Sequence, residues 1–419
     1  MTRIESKPLK SARLLTVLLL LAAAGWICYG DFLDAPFLYD DLRNITGNPH
    51  IMVERLSVDS LVGVLQSPSA KRPLANLSFA LNYYLHQYEL TGYHLVNLSI
   101  HILTALLIYI LTRQTLFLAR IRHPLAPLLT SLVWLVHPLH IQSVTYLVQR
   151  MNALATMFYV LALVCYIQAR LVQKSGSAGR GRPVALFCLA GFAGLLGFLS
   201  KEITATLPVF LFLYEWYFLK GAGLKRPART LKWLGLIMAA LTVLAALLYL
   251  EAAPLSQLTA TFDGKEFTLT QRLLTEPRVV LYYLSLLAYP HPERLMLVYD
   301  FPLPPSLMPP AVALAALVAL VFAAARAARR EPLLSFAILW FLGNLAIESS
   351  VIGLALIYEH RTYLPSIFPV MAAVRLLLRH IKPVPVAWAA LVTLLVINSW
   401  WTIQRNEIWS DRLLFWNDG

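Results

Sequence analysis

Two adjacent carboxylates, Asp40 and Asp41, stand in the stretch APFLYDDLRNITGNP at 35–49, shortly beyond the first long apolar run of the chain. Four further groups of ionisable residues interrupt apolar sequence in the same way. His137, His140 and Arg150 lie in HPLHIQSVTYLVQRMN, Lys201 and Glu202 in LSKEI, Glu348 in ESS, and Glu359, His360, Arg361 and Tyr363 in YEHRTYLPS. Ionisable side chains at membrane depth are costly, so each group is a candidate for function. Together they offer carboxylates facing cations, and His137 and His140 at i and i+3 have the spacing to share a metal. Structural readings stand beside these: a solvated acidic turn, a polar hairpin tip at Lys201-Glu202, interfacial anchoring by the histidines around Pro138, and an Arg150 that snorkels outward.

The elements that position these groups must be helices in lipid. The 419 residues are 58% hydrophobic and only 14% charged, with mean hydropathy +0.64, against roughly a quarter charged in a soluble domain. Apolar runs recur along the chain, each close to the ~20 residues that cross a bilayer. A lipid-exposed backbone must satisfy its own hydrogen bonds, and alternating strand patterns are absent, so the expectation is an all-α polytopic membrane protein. The runs suggest about eleven transmembrane helices, at 14–30, 93–118, 124–141, 146–168, 184–199, 203–219, 233–250, 311–328, 332–348, 364–379 and 384–401. The segments RVVLYYLSLLAYP (278–290) and PLANLSFALNYYL (73–85) read as interfacial or re-entrant amphipathic helices, able to wall a groove for a lipid tail.

With the N-terminus cytoplasmic, short inner loops such as KSGSAGRGR and KGAGLKRPARTLK collect Lys and Arg, satisfying the positive-inside rule. Among the acids, only Glu5, Glu215 and Glu331 then stay on the inner side or near it. All five polar groups fall on the outer face, which points to one outward-facing site. The net charge of +13 is a topology signal, dispersed among inner loops, and gives no reason to expect a nucleic-acid partner. Cys28, Cys165 and Cys188 lie in or beside apolar runs without paired spacing, as small hydrophobes. The basic head before Leu14 reads as an uncleaved anchor, because the apolar run continues past Ala24.

The order FLYDD, RPLANLSFALNYYLHQYELTGYHLVNLSIH, HPLHIQSVTYLVQR, FLSKEITATLPVFLFLYEW, YEHRTYLPS resembles the membrane half of the transmembrane and tetratricopeptide-repeat-containing O-mannosyltransferase family, within the GT-C class of polyprenyl-phosphate-sugar-dependent glycosyltransferases. The resemblance covers roughly 30–415. It implies a GT-C-like catalytic domain over 1–401, with outer loops 31–92 and 251–310, and an extracytoplasmic lead-in at 402–419 to a repeat array not found within the chain. QRMN at 149–152 departs from the eukaryotic pattern and suggests a bacterial member in the inner membrane, with C-terminus and active site periplasmic.

The implied reaction moves a sugar, mannose or another hexose, from a polyprenyl-phosphate donor to Ser or Thr hydroxyls of an extracytoplasmic acceptor protein. A hydroxyl needs a base, for which Asp40 is the first candidate with Asp41 its partner. The sugar carbon gains oxocarbenium character that a second carboxylate would stabilise. The leaving phosphate needs fixed cations: Arg361 first, Arg150 and Lys201 in support, with Glu202 and Glu359 orienting them and His360 or Tyr363 donating. Such a clamp can replace a metal, so no cofactor is expected, although His137 and His140 keep a divalent ion open. A multi-span transporter and a non-catalytic membrane scaffold are the rival readings.

Overall fold

The computed structural model describes residues 11–66, 72–175, 179, 181–219 and 262–418. Its order is α1 (Ser11–Tyr29), α2 (Val58–Leu65), α3 (Pro73–His86), α4 (Leu90–Leu118), α5 (Ala126–Leu135), α6 (Ile141–Val144), α7 (Arg150–Ser175), α8 (Gly181–Ser200), α9 (Leu207–Tyr214), α10 (Leu269–Ala288), α11 (Met308–Ala327), α12 (Pro332–Leu345), α13 (Ile367–His380), α14 (Val384–Ser410) and α15 (Arg412–Asn417). No strand occurs among the described residues. The chain is an all-α polytopic membrane protein, as lipid requires of a backbone with no water to bond.

A helix lies on every expected span except 233–250, which falls outside the described residues, as does the whole KGAGLKRPARTLK loop. Among the described residues six helices are long and apolar enough to cross a membrane by length and composition: Ser11–Phe32, Leu90–Leu118, Leu147–Ser175, Gly181–Ser200, Met308–Ala327 and Val384–Ser410. Ala126–Leu135 and Pro332–Leu345 are apolar but shorter. The span expected at 124–141 is cut at Leu135, because Pro138 cannot continue the helix and starts a separate 3-10 turn, Pro138–His140. The 278–290 segment is part of a longer helix: α10 starts at a capping box between Thr268 and Gln271 and carries Pro277 inside it. The 401 boundary falls within α14, which continues to Ser410.

α7 packs along α8 and α4, while α10, α11, α12 and α13 pack in sequence. An aromatic block fixes α9, α12 and α13: Phe210 to Trp340 4.8 Å, Phe336 to Phe368 4.6 Å and Trp340 to Phe368 4.7 Å between ring centroids. Edge-to-face and tilted pairs of this kind add to the packing of their buried area. Gly343 lets α12 approach α9, since a Cβ there would meet the Phe210 ring at 2.7 Å. Just beyond this block, Thr206 donates to Asn344 Oδ1 at 2.6 Å, linking α12 to the 3-10 turn Glu202–Thr206. The ends of α8, α9, α12 and α13 are thereby held together, and the ionisable groups gather there.

Candidate functional site

The acid pair is split by its surroundings. Tyr39 takes a positive φ of 44°, turning the chain so that Asp41 points inward. The Asp41 carboxylate is buried and accepts backbone N–H groups on both oxygens, from Leu38 at 3.1 Å and Val148 at 2.6 Å. Burial raises its pKa to about 8 against the pull of those N–H groups. Asp40 is only partly buried, its own N–H donates to the Tyr146 hydroxyl at 2.9 Å, and no hydrogen bond or ion pair holds its carboxylate among the described residues. The Tyr358 phenol lies in the field of Tyr39 and Asp40, and burial with both raises its pKa. The Tyr146 hydroxyl thus ties down the acid loop, and Tyr358 of the 358–363 segment lies within its field.

Arg361 also neighbours Tyr358, its guanidinium 5.6 Å from the ring centroid. Two of its nitrogens donate to the carbonyls of Leu356 at 3.1 Å and Ala355 at 2.7 Å. Its Nε is buried without a hydrogen bond, 3.9 Å from Glu348. Glu348 also receives the Lys201 ammonium at 2.9 Å, and Lys201 donates to Asn152 Oδ1 at 3.1 Å. Burial pushes the Lys201 pKa down while Glu348 opposes it. Arg272 of α10 braces the same loop through the carbonyls of Glu348 at 2.7 Å and Ser350 at 3.0 Å, and pairs with Glu276 at 2.7 Å. Three buried cations, Lys201, Arg272 and Arg361, thus face two carboxylates, Glu276 and Glu348, leaving one positive charge in excess. Glu202, next to Lys201 in the chain, is paired with Arg72 of the α3 approach at 2.7 Å, so that this pair adds no net charge to the cluster.

His360 adjoins the cluster. Its ring stacks on Tyr358 with centroids 5.1 Å apart, and its Nδ1 lies 3.3 Å from Gln142 Oε1. Burial, then Lys201, Arg361 and Arg72, depress its pKa well below the usual histidine value, keeping it neutral. Glu359 faces away, accepting the Met296 N–H at 2.7 Å and the Tyr299 hydroxyl at 2.6 Å. Burial raises its pKa to about 7.

Other candidate residues are engaged elsewhere. Arg150 is wholly buried and gives its donors to neutral oxygens: Asn97 Oδ1 at 2.6 Å, the Tyr93 carbonyl at 3.0 Å, the Ser78 carbonyl at 3.2 Å, and Asn82 Oδ1. With Phe79 4.5 Å from its guanidinium, it joins α3, α4 and α7 and has neither the snorkelling path nor the free fork of a phosphate clamp. Tyr363 is completely buried, its hydroxyl 2.7 Å from His101 Nδ1. His101 Nε2 lies 2.9 Å from the Leu135 carbonyl, so that nitrogen donates and Nδ1 accepts from the tyrosine. His140 is held by the Trp134 carbonyl at 2.8 Å and Ser366 at 3.0 Å, and His137 by the Leu287 carbonyl at 3.1 Å. Among the described residues no group of three or more His, Cys, Asp or Glu is placed to hold a metal.

Sequence reasoning passed over Tyr146, Tyr358, Arg272 and Asn152. Tyr358 directly precedes the EHR motif and Arg272 lies four residues before Glu276, so a scan for charge at i,i+4 would have found Arg272.

The chain is similar to curated proteins. It is 33% identical to the protein O-mannosyl-transferase TMTC1 of Mus musculus over 200 residues, 45% of this chain and 20% of that protein. It is 30% identical to the protein O-mannosyl-transferase Tmtc3 of Drosophila melanogaster over 220 residues, 47% of this chain and 24% of that one. Against the protein O-mannosyl-transferase TMTC4 of Homo sapiens it is 28% identical over 205 residues, 44% and 27%. The chain thus spans about a quarter of the length of these curated relatives. No family model matches it, and no solved structure does.

Proposed function

Because the chain is a relative of the transmembrane and tetratricopeptide-repeat-containing O-mannosyltransferases, we propose that it is a membrane-embedded glycosyltransferase acting on proteins, with a polyprenyl-phosphate-linked sugar as donor. The observation that carries this reading is a juxtaposition. Asp40, whose carboxylate has no partner among the described residues, and a buried cation cluster with a positive excess and an unspent donor, Arg361 Nε, both act on one tyrosine, Tyr358, the acid through its field and Arg361 against the ring. An acid to accept a proton and cations to receive an oxyanion are the two needs of glycosyl transfer from a phosphate.

In this mechanism the acceptor Ser or Thr hydroxyl attacks the anomeric carbon while its proton passes to Asp40. The bond from that carbon to the phosphate oxygen breaks, and both its electrons leave on the lipid phosphate. Arg361 and Lys201 receive the new charge, with Glu348 holding the two cations together. A single displacement inverts the anomeric configuration. Asp41 is a positioning residue, anchoring the loop through the Leu38 and Val148 N–H groups so that Asp40 faces the site. His360, held neutral, supplies a ring nitrogen to the phosphate or the acceptor. The site faces the extracytoplasmic side in this reading, since the Lys- and Arg-rich short loops put the cytoplasm at the other ends of the helices.

The test is incubation of the purified protein with synthetic polyprenyl-phosphate mannose and acceptor proteins, reading hexose on Ser or Thr by mass spectrometry. D40N should lower turnover by about 100-fold or more, the usual weight of a general base, while keeping the parent melting temperature. R361K should raise the donor KM about tenfold, since the ammonium keeps the charge but loses the Nε donor and the anchorage on the Leu356 and Ala355 carbonyls that aims it. D40N turnover close to parent would remove Asp40 from the mechanism.

A further inference from the structure

At the far ends of α12 and α13 from the cation cluster, the fold carries a second feature that glycosyl transfer does not use. An apolar cavity of about 210 Å³ opens between α10, α11, α12 and α13, lined by Leu284, Leu320, Leu334, Phe341, Ala373 and Leu376 among others. α12 rises about 21 Å over its fourteen residues. Glu331 immediately precedes it and Glu348 follows its end. Glu331 is paired with Arg375 at 2.6 Å and with Arg379, both in the last turns of α13. Arg329 and Arg330, at the end of α11, and Lys382, just past α13, are exposed on the same rim. One acid therefore stands among five cations where the cavity-lining helices reach the membrane surface.

We propose that this cavity and its basic rim form a binding site for an anionic phospholipid of the leaflet opposite the Asp40 site, with one acyl chain in the cavity and the phosphate on Arg375 and Arg379. Depth supports this occupant. Leu376 lies between Arg375 and Arg379 in sequence and Leu334 is one turn from Glu331, so the lining runs directly into the rim. At the other end Phe341 is about two turns short of Glu348, and Phe341 and Leu345 pack with Ile357, Val279 and Tyr283 in between. The donor's lipid tail would therefore need a different path to reach the cations at Arg361. A lipid phosphate competing with Glu331 for two arginines is a charge-assisted exchange, and basic pockets between membrane helices recognise anionic headgroups in this way.

The experiment is native mass spectrometry of the delipidated protein titrated with phosphatidylglycerol and, separately, phosphatidylcholine, with melting temperatures recorded for each variant. Phosphatidylglycerol should bind at least about fivefold more tightly than phosphatidylcholine. E331Q, which frees both arginines, should tighten phosphatidylglycerol about threefold to fivefold, the effect of roughly one charge at a surface. A373F, which fills the cavity at an exposed position, should weaken it about tenfold through lost chain burial. Equal binding of the two lipids, or no response to E331Q, would overturn the headgroup assignment. Unchanged binding by A373F would reduce the site to surface attraction and overturn the cavity. Displacement of phosphatidylglycerol by polyprenyl phosphate would give the cavity to the donor's tail instead.

Discussion

Asp41 and Asp40 are identical side chains with opposite environments, and the difference is measurable. Asp41 gives both oxygens to backbone N–H groups inside the protein. D41N turns an amide N–H₂ toward one of those donors, so it should destabilise the fold by about 1–3 kcal/mol and lower turnover of the remaining folded protein less than D40N does. Thermal unfolding in detergent checks this, set beside D40N. The raised carboxyl pKa values of Asp41 and Glu359 also fix the sign of a pH effect. The folded protein holds protons on Asp41 up to about pH 8 and on Glu359 up to about pH 7, whereas the unfolded chain releases them near their ordinary values of ~4. Between those limits the unfolded state binds fewer protons, so stability falls as pH rises from about 4 to about 8 and their contribution is then spent. E359Q should flatten the lower part of that decline, up to about pH 7, in melting temperatures taken across the range.

At the level of elements, Arg150 decides between brace and clamp. Its partners lie on α3 and α4 and it starts α7 itself, so the guanidinium holds three helices together. R150M should cost about 3 kcal/mol or more, because buried oxygens on Asn97 and Asn82 lose their donor. A donor KM that rises at unchanged melting temperature would instead restore a phosphate role. The sequence made Arg150, Lys201 and Arg361 look alike, each a cation interrupting apolar residues. What separates them is the charge of their neighbours: amides and carbonyls for Arg150, Glu348 for the other two. Those neighbours are as far as 147 positions away along the chain, beyond any local pattern. For the histidines too, i,i+3 spacing left a metal and an anchoring role both open, and the partners that hold them, the Trp134 and Leu287 carbonyls and Ser366, are not part of that local pattern.

For the whole molecule, helix content and most helix positions were legible, because lipid leaves an apolar run few alternatives. Helix ends were less so: Pro138 shortened α5, and a capping box at Thr268 extended α10 beyond its apolar part. The acids and the cations were visible as types, while the tyrosines between them, residue types common at any membrane interface, were not. Orientation can be tested directly. In a chain with Cys28, Cys165 and Cys188 replaced, H50C should react with an impermeant maleimide from the extracytoplasmic side and R329C from the cytoplasmic side, both positions being exposed. Labelling of both from one side, or with the sides exchanged, would overturn the proposed topology.

The partners of the buried cations also set an order of assembly. Everything that holds Arg150, from Ser78 to Asn97, is synthesised before it, so as the ribosome adds residue 150 a neutral cradle can already be waiting. Lys201 has Asn152 behind it but its counter-ion, Glu348, far ahead. An unfinished chain must therefore carry an uncompensated lysine at the membrane edge through the insertion of α9, α10, α11 and α12. That interval is where nascent protein would be most exposed to quality-control proteases, and bringing Glu348 alongside Lys201 would close it.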